Sequence, residues 1–278
     1  MVNILVPTDF SELSKIAVQY AVKIANELNG NVTLFHVISL EQKVKATLRM
    51  QTKSRDVLKN IKQNFQSLVD DVSLEMEIGR PLSFKVAEGM SFEDTIMKES
   101  KKLRSGLIVM GTRGASGLKK AVLGSNTASL IGVSHIPVLA VPEHAEFNTF
   151  RNVIYATDLK NLEAELGILM PYVEQFESIV HILHIVESGS DIEAAELEIE
   201  TVIKKSGYKN IVTLVTFDPD IDGAIDQYIS VSKADLLTMF THEPSFFEKV
   251  FDRSVTRKMA FQSKIPLLAF KNKEVLIG

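Results

Sequence analysis

The chain of 278 residues contains no cysteine, no long apolar run and no excess of positive charge. Without cysteine, disulfide bonds and thiolate sites for metals or redox chemistry are excluded. No apolar run approaches the roughly 20 residues that cross a bilayer, so we expect no membrane segment. The formal net charge of −4 argues against sequence-independent binding of nucleic acid, which a basic surface would favour.

The amino-terminal sequence MVNILVPTDF has no basic region and enters a strand-like run at once, which is unlike a signal peptide. This start and the absence of cysteine predict a cytoplasmic protein. Hydrophobic residues make up 45% of the chain and charged residues 24%, which are ordinary proportions for a globular protein. The length allows two domains of usual size.

The sequence repeats one ordered series of short apolar segments. NILVPTD at 3–9 returns as NVIYATD at 152–158, and LFHV at 34–37 returns as LHIV at 183–186. LIVM at 107–110 then matches LLTM at 236–239, and HIPVLAV at 135–141 matches KIPLLAF at 264–270. Asp9 and Asp158 are 149 positions apart, but Pro137 and Pro266 only 129, so the second copy has lost 20 residues. The chain is therefore a tandem repeat.

Apolar strands alternate with amphipathic helices in each copy, which is typical of a parallel sheet covered on both faces. The first helix is predicted from Ser11, in the N-cap position, to Leu28, with Gly30 as a stop signal. The charged segment 41–71 is predicted to be a helix, preceded by a loop. In the first copy we predict strands near residues 3–7, 32–38, 73–79, 107–111 and 137–141. The predicted domains are 1–145 and 150–278.

A glycine-rich segment follows the fourth predicted strand. It comprises GTRG at 111–114, a loop of nine residues, and GSNT at 124–127, which opens a helical pattern. Glycines allow backbone N–H groups to approach a phosphate, and a helix N-terminus adds unsatisfied donors and a favourable dipole. Ligands of parallel α/β sheets bind at the carboxyl ends of the strands, where PTD at 7–9 is also expected. The segment is neither a Walker A loop nor the dinucleotide fingerprint.

The spacing of these glycines, together with PTDFSE near the start, resembles the ATP-binding branch of the universal stress protein family in its tandem form. The resemblance covers both copies, but the glycine motif occurs once. It implies two Rossmann-like (adenine nucleotide alpha hydrolase-like) domains, each a five-stranded parallel sheet of order 3-2-1-4-5, the second shortened. It also implies that the last strands, Val138–Val141 and Leu267–Phe270, pair within the chain, and it allows a homodimer of whole chains.

The same resemblance implies an ATP site in the first domain. Asp9 would contact the ribose or adenine, Val37 the adenine through its backbone, and Mg²⁺ or Mn²⁺ would enter on the phosphates. No protein side chain is expected to bind the metal. The implied nucleotide-binding residues are Pro7, Thr8, Asp9, Val37, Met110, Gly111, Arg113, Gly114, Gly124, Ser125, Asn126 and Thr127.

The second copy has lost this glycine motif. The 129-residue offset replaces Gly111 by Phe240, and the other two motif glycines by Glu243 and Arg253. Bulky and charged side chains remove the space for a phosphate, and Glu243 would also repel it. We therefore expect nucleotide only in the first domain.

Alternative interpretations remain open for these residues. The glycines could be present only because the turns need their backbone conformations, and Asp9 could simply cap the following helix. His36 is best explained as a hydrogen-bonded core residue. For the whole protein, the main hypothesis is an ATP-binding regulatory or interaction module in the stress response. The rivals are a slow ATP hydrolase or nucleotidyl transferase on the same scaffold, and a structural scaffold without ligand.

Overall fold

The structure is a computed structural model, and it describes residues 2–39, 54–73, 82–112, 124–186, 188–241 and 265–271. Among these residues, the chain separates into two compact units that divide between Glu143 and His144. Within the same ranges, no helix is long and apolar enough to cross a membrane.

The first unit alternates strands and helices along the chain. Its elements are β1 (Asn3–Pro7), α1 (Glu12–Glu27), β2 (Asn31–Ser39), α2 (Ser54–Ser73), β3 (Leu82–Gly89), α3 (Phe92–Lys102), β4 (Leu107–Gly111), α4 (Ser125–Val133) and β5 (Val138–Val141). The strands pair in parallel in the order β3-β2-β1-β4-β5. The predicted strand order of this sheet is confirmed.

The second unit follows the same course. Its elements are β6 (Asn152–Ala156), α5 (Leu162–Val173), β7 (Ile179–Val186), α6 (Ile192–Ser206), β8 (Ile211–Phe217), α7 (Ile221–Ser232), β9 (Leu236–Thr241) and β10 (Leu267–Lys271). Its parallel strands take the order β8-β7-β6-β9-β10, which is again 3-2-1-4-5 within the unit. The pairing of β5 with β10 that the family resemblance implies stays a prediction.

The third strand lies later in the sequence than predicted. Residues 32–39 of β2 pair with Leu82–Gly89, whereas Ser73 ends α2 and 74–79 lie outside the described residues. The prediction that residues 73–79 form the third strand was therefore wrong. Residues 72–78 alternate apolar and polar side chains as half-buried strands do, but β3 is the outer strand of its sheet. An outer strand needs fewer apolar residues, and Phe84 in β3 is 42% exposed.

The start of α1 has the predicted cap. The Ser11 side chain accepts a hydrogen bond from the Ser14 N–H at 3.3 Å, which satisfies one of the unpaired donors of the first turn. Gly30 follows the helix where β2 begins, and a Cβ there would lie 2.8 Å from the Val2 carbonyl oxygen. Glycine is needed at this position because the backbone just before β1 approaches so closely.

An aromatic cluster attaches α2 to the sheet. Phe65 of α2 is fully buried, meets Phe10 edge to face at 4.9 Å between ring centroids, and stacks on Phe84 of β3 at 4.8 Å. Phe10 also lies 4.8 Å from the ring of His36. Because Phe10 lies in the turn after β1, the cluster joins α2 to the end of the sheet where ligands of such folds bind.

We predict that Phe65→Ala lowers the free energy of unfolding by about 3–5 kcal/mol, since it leaves a cavity in this cluster. Leu58→Ala is the matched control in the same helix, because Leu58 is 44% exposed. The control should change stability by no more than about 0.5 kcal/mol. Urea denaturation followed by circular dichroism gives both values, and equal effects would contradict the packing described.

Candidate functional site

The carboxyl ends of the three central strands lie side by side in the first unit. Pro7 at the end of β1 is in register with Phe35 of β2. The pairing of Ile4 with Leu107 and of Leu5 with Ile108, continued along the strands, puts Pro7 beside Met110. The segments that follow β1 and β4 therefore leave the sheet at one edge.

Thr8 shapes the turn after β1 through internal hydrogen bonds. Its N–H donates to the Phe35 carbonyl at 2.9 Å, and its carbonyl accepts from Nδ1 of His36 at 2.7 Å. Its hydroxyl shares a hydrogen bond with Ser14 at 2.9 Å and accepts from the Phe10 N–H at 3.0 Å. Phe10 can thus hold the left-handed conformation, with φ of 64°. Thr8 is buried, and its polar atoms are bonded within the turn and to its neighbours.

Asp9 extends from this turn into solvent. Its Oδ1 accepts hydrogen bonds from the Ser11 N–H at 3.1 Å and from the Ser11 hydroxyl at 2.6 Å. Ser11, and not Asp9, is the N-cap of α1. Asp9 therefore orients the capping residue, and its exposed carboxylate lies at the mouth of the turn.

The segment between β4 and α4 begins and ends at the same place. The Gly124 N–H donates to the Thr112 carbonyl, and Thr112 itself donates to the Val141 carbonyl at 3.0 Å. The Thr127 hydroxyl donates to the Gly111 carbonyl at 2.9 Å, which attaches the first turn of α4 to the end of β4. The two glycine-containing ends, 111–112 and 124, are thereby brought together.

The predicted site residues differ in their access to solvent. Pro7, Met110, Gly111 and Thr127 are buried, whereas Val37 and Gly124 are half-buried and Asn126 is exposed. Ser125 is the first residue of α4. Arg113 and Gly114 lie outside the described residues.

Helix α4 is anchored to its neighbour α3. A hydrogen bond from Ser129 of α4 is the main cause that lowers the pKa of the Glu93 carboxyl in α3. A smaller contribution comes from Ser91, whose hydroxyl donates to the Glu93 carboxylate at 3.0 Å. The Glu93 carboxylate thus attaches the middle of α4 to α3. Helix α4 is therefore held at its first turn by the bond from Thr127 to Gly111 and near its middle by Glu93.

The turn after the first strand is reproduced in the second unit. The Thr157 hydroxyl accepts from the Leu159 N–H at 3.0 Å, and Leu159 has φ of 66°. The Thr157 N–H donates to the Leu183 carbonyl at 3.0 Å, and Nδ1 of His184 donates to the Thr157 carbonyl at 2.8 Å. Asp158 accepts from the Lys160 N–H at 3.2 Å. The turn is therefore scaffold common to both copies.

The structure corrects the alignment of the second strands by one residue. Pro7 is in register with Phe35, and Ala156 with Leu183, so β2 and β7 correspond with an offset of 148. His36 and His184 are then equivalent residues, which the sequence pairing of LFHV with LHIV did not show. Both imidazoles bond the carbonyl of the turn threonine. The hydrogen bond expected of His36 is confirmed, but its side chain is half-buried and does not lie in the core.

Aromatic side chains fill the second unit where the first has Gly111. The registers of β9 with β10 and of β4 with β5 make Phe240 the equivalent of Gly111, and Phe270 that of Val141. The buried Phe240 ring stacks on Phe270 at 4.7 Å and meets Tyr155 edge to face at 5.8 Å. Glu243 and Arg253 lie outside the described residues.

Sequence reasoning missed a buried polar pair beneath the second turn. The Tyr155 hydroxyl donates to the Glu165 carboxylate and lies 3.1 Å from Oγ1 of Thr157. Glu165 is 1% exposed. Burial, followed by the charge of Glu165, raises the pKa of Tyr155 above its ordinary value. The sequence did offer one signal for this pair, a tyrosine in β6 where β1 has Val6. Its carboxylate partner Glu165, however, comes from helix α5.

Metal binding by the protein has no support in the described ranges. There, no group of three or more His, Asp or Glu side chains could hold a metal ion. Nδ1 of His181 is hydrogen-bonded to the Tyr228 hydroxyl at 3.0 Å, and burial lowers the pKa of His181. His181 is hydrogen-bonded to Tyr228 of α7, whereas His184 is hydrogen-bonded to the carbonyl of Thr157 in the turn. The two imidazoles therefore do not converge on a common metal site.

The family model described as "Universal stress protein family" matches residues 1–142, about half of the chain. The chain belongs to the universal stress protein family. The universal stress protein MJ0531 of Methanocaldococcus jannaschii is 30% identical over 140 residues, which cover 50% of this chain and 81% of that protein. The universal stress protein Slr1230 of Synechocystis is 24% identical over 291 residues, 98% of this chain and 100% of that protein.

The fold is shared with a solved universal stress protein along nearly the whole chain. The crystal structure of a universal stress protein from Archaeoglobus fulgidus superimposes with a TM-score of 0.68 at 20% sequence identity. The match covers 98% of this chain and 97% of that one. Both units of this universal stress protein thus lie within a known fold, which by itself does not define a function.

We predict that Thr8→Val and Thr157→Val have similar effects, because each removes the acceptor of a turn N–H. Each should lower the free energy of unfolding by about 1–3 kcal/mol and speed hydrogen exchange at the amide of Phe10 or Leu159, respectively. Thr33→Val is the matched control, since its hydroxyl bonds Ser83 at the surface. Hydrogen-exchange mass spectrometry of the turn peptides measures this, and a silent Thr8→Val would contradict the scaffold role.

Proposed function

We propose that the first unit binds ATP and that the protein acts as a nucleotide-dependent regulatory or interaction module in the stress response. The observation that carries this proposal is the hydrogen bond between the Gly124 N–H and the Thr112 carbonyl. It brings both glycine ends of the β4–α4 segment to the N-terminus of α4. The same sheet edge carries the exposed carboxylate of Asp9.

The N-terminus of α4 differs from those of α1 and α3. Ser11 caps α1 and Ser91 caps α3, each through its side chain, but the N-cap of α4 is Gly124 and makes no side-chain bond. The first turn of α4 contains no acidic residue. The first N–H groups of a helix have no intrahelical acceptor, and they favour an anion. A phosphate is the ligand that fits such an arrangement.

The nucleoside end of the site would lie at β1 and β2. Asp9 is exposed at the mouth of the turn, and Val37 is half-buried near the carboxyl end of β2. A carboxylate accepts hydrogen bonds from ribose hydroxyls, and a backbone segment can pair with an adenine edge. Buried Pro7, Thr8 and Met110 would give this pocket its rigid wall. Mg²⁺ or Mn²⁺ would enter with the nucleotide, bound through its phosphates.

The second unit is proposed to bind no nucleotide. Phe240 occupies the position of Gly111, and its ring is packed between Tyr155 and Phe270. A backbone approach to phosphate needs the open space that glycine leaves, and an aromatic ring removes it. The second unit keeps the turn and the sheet without the phosphate loop.

ATP is proposed to be a ligand and not a rapidly consumed substrate. Fast hydrolysis requires a positioned water, a group that orients it and charge stabilisation at the γ-phosphate. The acid that the described site offers is Asp9, which follows β1 at the proposed nucleoside end. Helix N–H groups and glycines account for binding without supplying a general base. A slow hydrolase on this scaffold is the rival function.

Titration calorimetry with MgATP should show one site per chain. Gly124→Arg should weaken binding at least about 100-fold, because several charge-assisted hydrogen bonds to the phosphates would be lost. Gly132→Arg is the matched control in the same helix, since a Cβ at Gly132 meets nothing within 4 Å. The control should bind as the wild type does. Two sites per chain, or full affinity in Gly124→Arg with an unchanged melting temperature, would refute the assignment.

Single-turnover hydrolysis of ATP, with and without Mg²⁺, separates the ligand from the substrate hypothesis. We expect a rate well below about 1 per second, the lower end of common enzyme turnover. A rate near that value that is lost in Gly124→Arg and kept in Gly132→Arg would establish the enzyme instead.

A further inference from the structure

The two outer strands β3 and β8 differ in how they are protected. β3 reads LSFKVAEG and places the charged side chains of Lys85 and Glu88 at the surface. β8 reads IVTLVTF and carries no charge, while Val212 is 44% and Phe217 49% exposed. Natural outer strands are protected by charges, proline or bulges, because their unpaired backbone groups recruit other strands. β8 lacks these protections.

The free side of β8 is long enough for specific pairing. β8 pairs with β7 from Ile211 to Phe217, along all seven of its residues. On the other side, no strand of the described residues adjoins it. A row of backbone donors and acceptors therefore faces outward, flanked by apolar and threonine side chains.

We propose that two copies of this chain associate through antiparallel pairing of β8 with β8 about a twofold axis. Such an interface is isologous, so it closes on a dimer and does not propagate. Full overlap of residues 211–217 places the axis at Leu214, which then faces Leu214 of the second copy. Val212 faces Thr216, and its exposed side chain becomes covered by the neighbouring strand.

Charges beyond the ends of β8 favour a second copy in antiparallel orientation. Exposed Lys209 precedes the strand, and Asp218 and exposed Asp220 follow it. Antiparallel pairing brings Lys209 of one copy near both aspartates of the other, at each end of the interface. Parallel pairing would place like charges together, which is unfavourable. The strand is thus complementary to itself. This inference depends on β8 alone and is independent of nucleotide binding.

A single introduced cysteine tests both contact and register, because the chain contains no cysteine. Leu214→Cys places two thiols opposite each other, where antiparallel Cα atoms lie about 4.5–5.5 Å apart, within the range of a disulfide. Val212→Cys is the matched control, since its two copies would be about 14 Å apart, four residues along the strand. Mild oxidation of the full chain should crosslink Leu214→Cys and leave Val212→Cys uncrosslinked.

Light scattering of the unmodified chain should give twice the monomer mass of 30.9 kDa. Thr213→Lys puts a charge in the centre of the edge and should halve the mass. Ser83→Lys is the matched control, because Ser83 is exposed on the outer strand β3, and it should leave the dimer intact. Monomeric wild type, a dimer that tolerates Thr213→Lys, or equal crosslinking at positions 212 and 214 would overturn the proposal. Melting curves confirm that each variant is folded.

Discussion

The candidate site depends on one hydrogen bond, which the backbone N–H of Phe10 donates to the hydroxyl of Thr8. It holds Phe10 in a left-handed conformation, so the chain turns sharply out of β1 and enters α1. That conformation costs energy for a residue other than glycine, and it persists only where the surrounding contacts hold it. Nδ1 of His36 bonds the Thr8 carbonyl, and Phe65 packs on Phe10, so β2 and α2 both support the turn. Asp9 is exposed at the sheet edge as a result.

The two units show how one scaffold accommodates two different interiors. Thr157 repeats the turn with nearly the same distances, yet the buried rings of Tyr155 and Phe240 pack edge to face beside it. The Tyr155–Glu165 pair adds a buried hydrogen bond that the first unit replaces with Thr8 and Ser14. The side chains around the turn thus differ between the units, although the backbone of the turn is retained. The turn itself therefore indicates the fold and not the ligand.

Pattern reasoning succeeded where local chemistry decides the structure. Ser11 caps α1 as its position before a helical pattern indicates, and the registers of β4 and β9 bear out the equivalence of Gly111 with Phe240. It misplaced the third strand, because β3 lies at the edge of the sheet and needs little apolar surface. It also missed Glu165, since an acidic side chain in a helix normally faces solvent and nothing local shows a buried tyrosine opposite it.

By itself, the sequence determined the tandem repeat, the parallel α/β class and the glycine segments, because these follow from short-range periodicity and from residue types that backbone geometry demands. Only the tertiary structure decided that Thr112 meets Gly124, that the Thr127 hydroxyl bonds the Gly111 carbonyl, and that Phe240 stacks on Phe270. These contacts join segments that are distant along the chain. Their geometry depends on strand register, and a shift of one residue turns each side chain to the opposite face of the sheet.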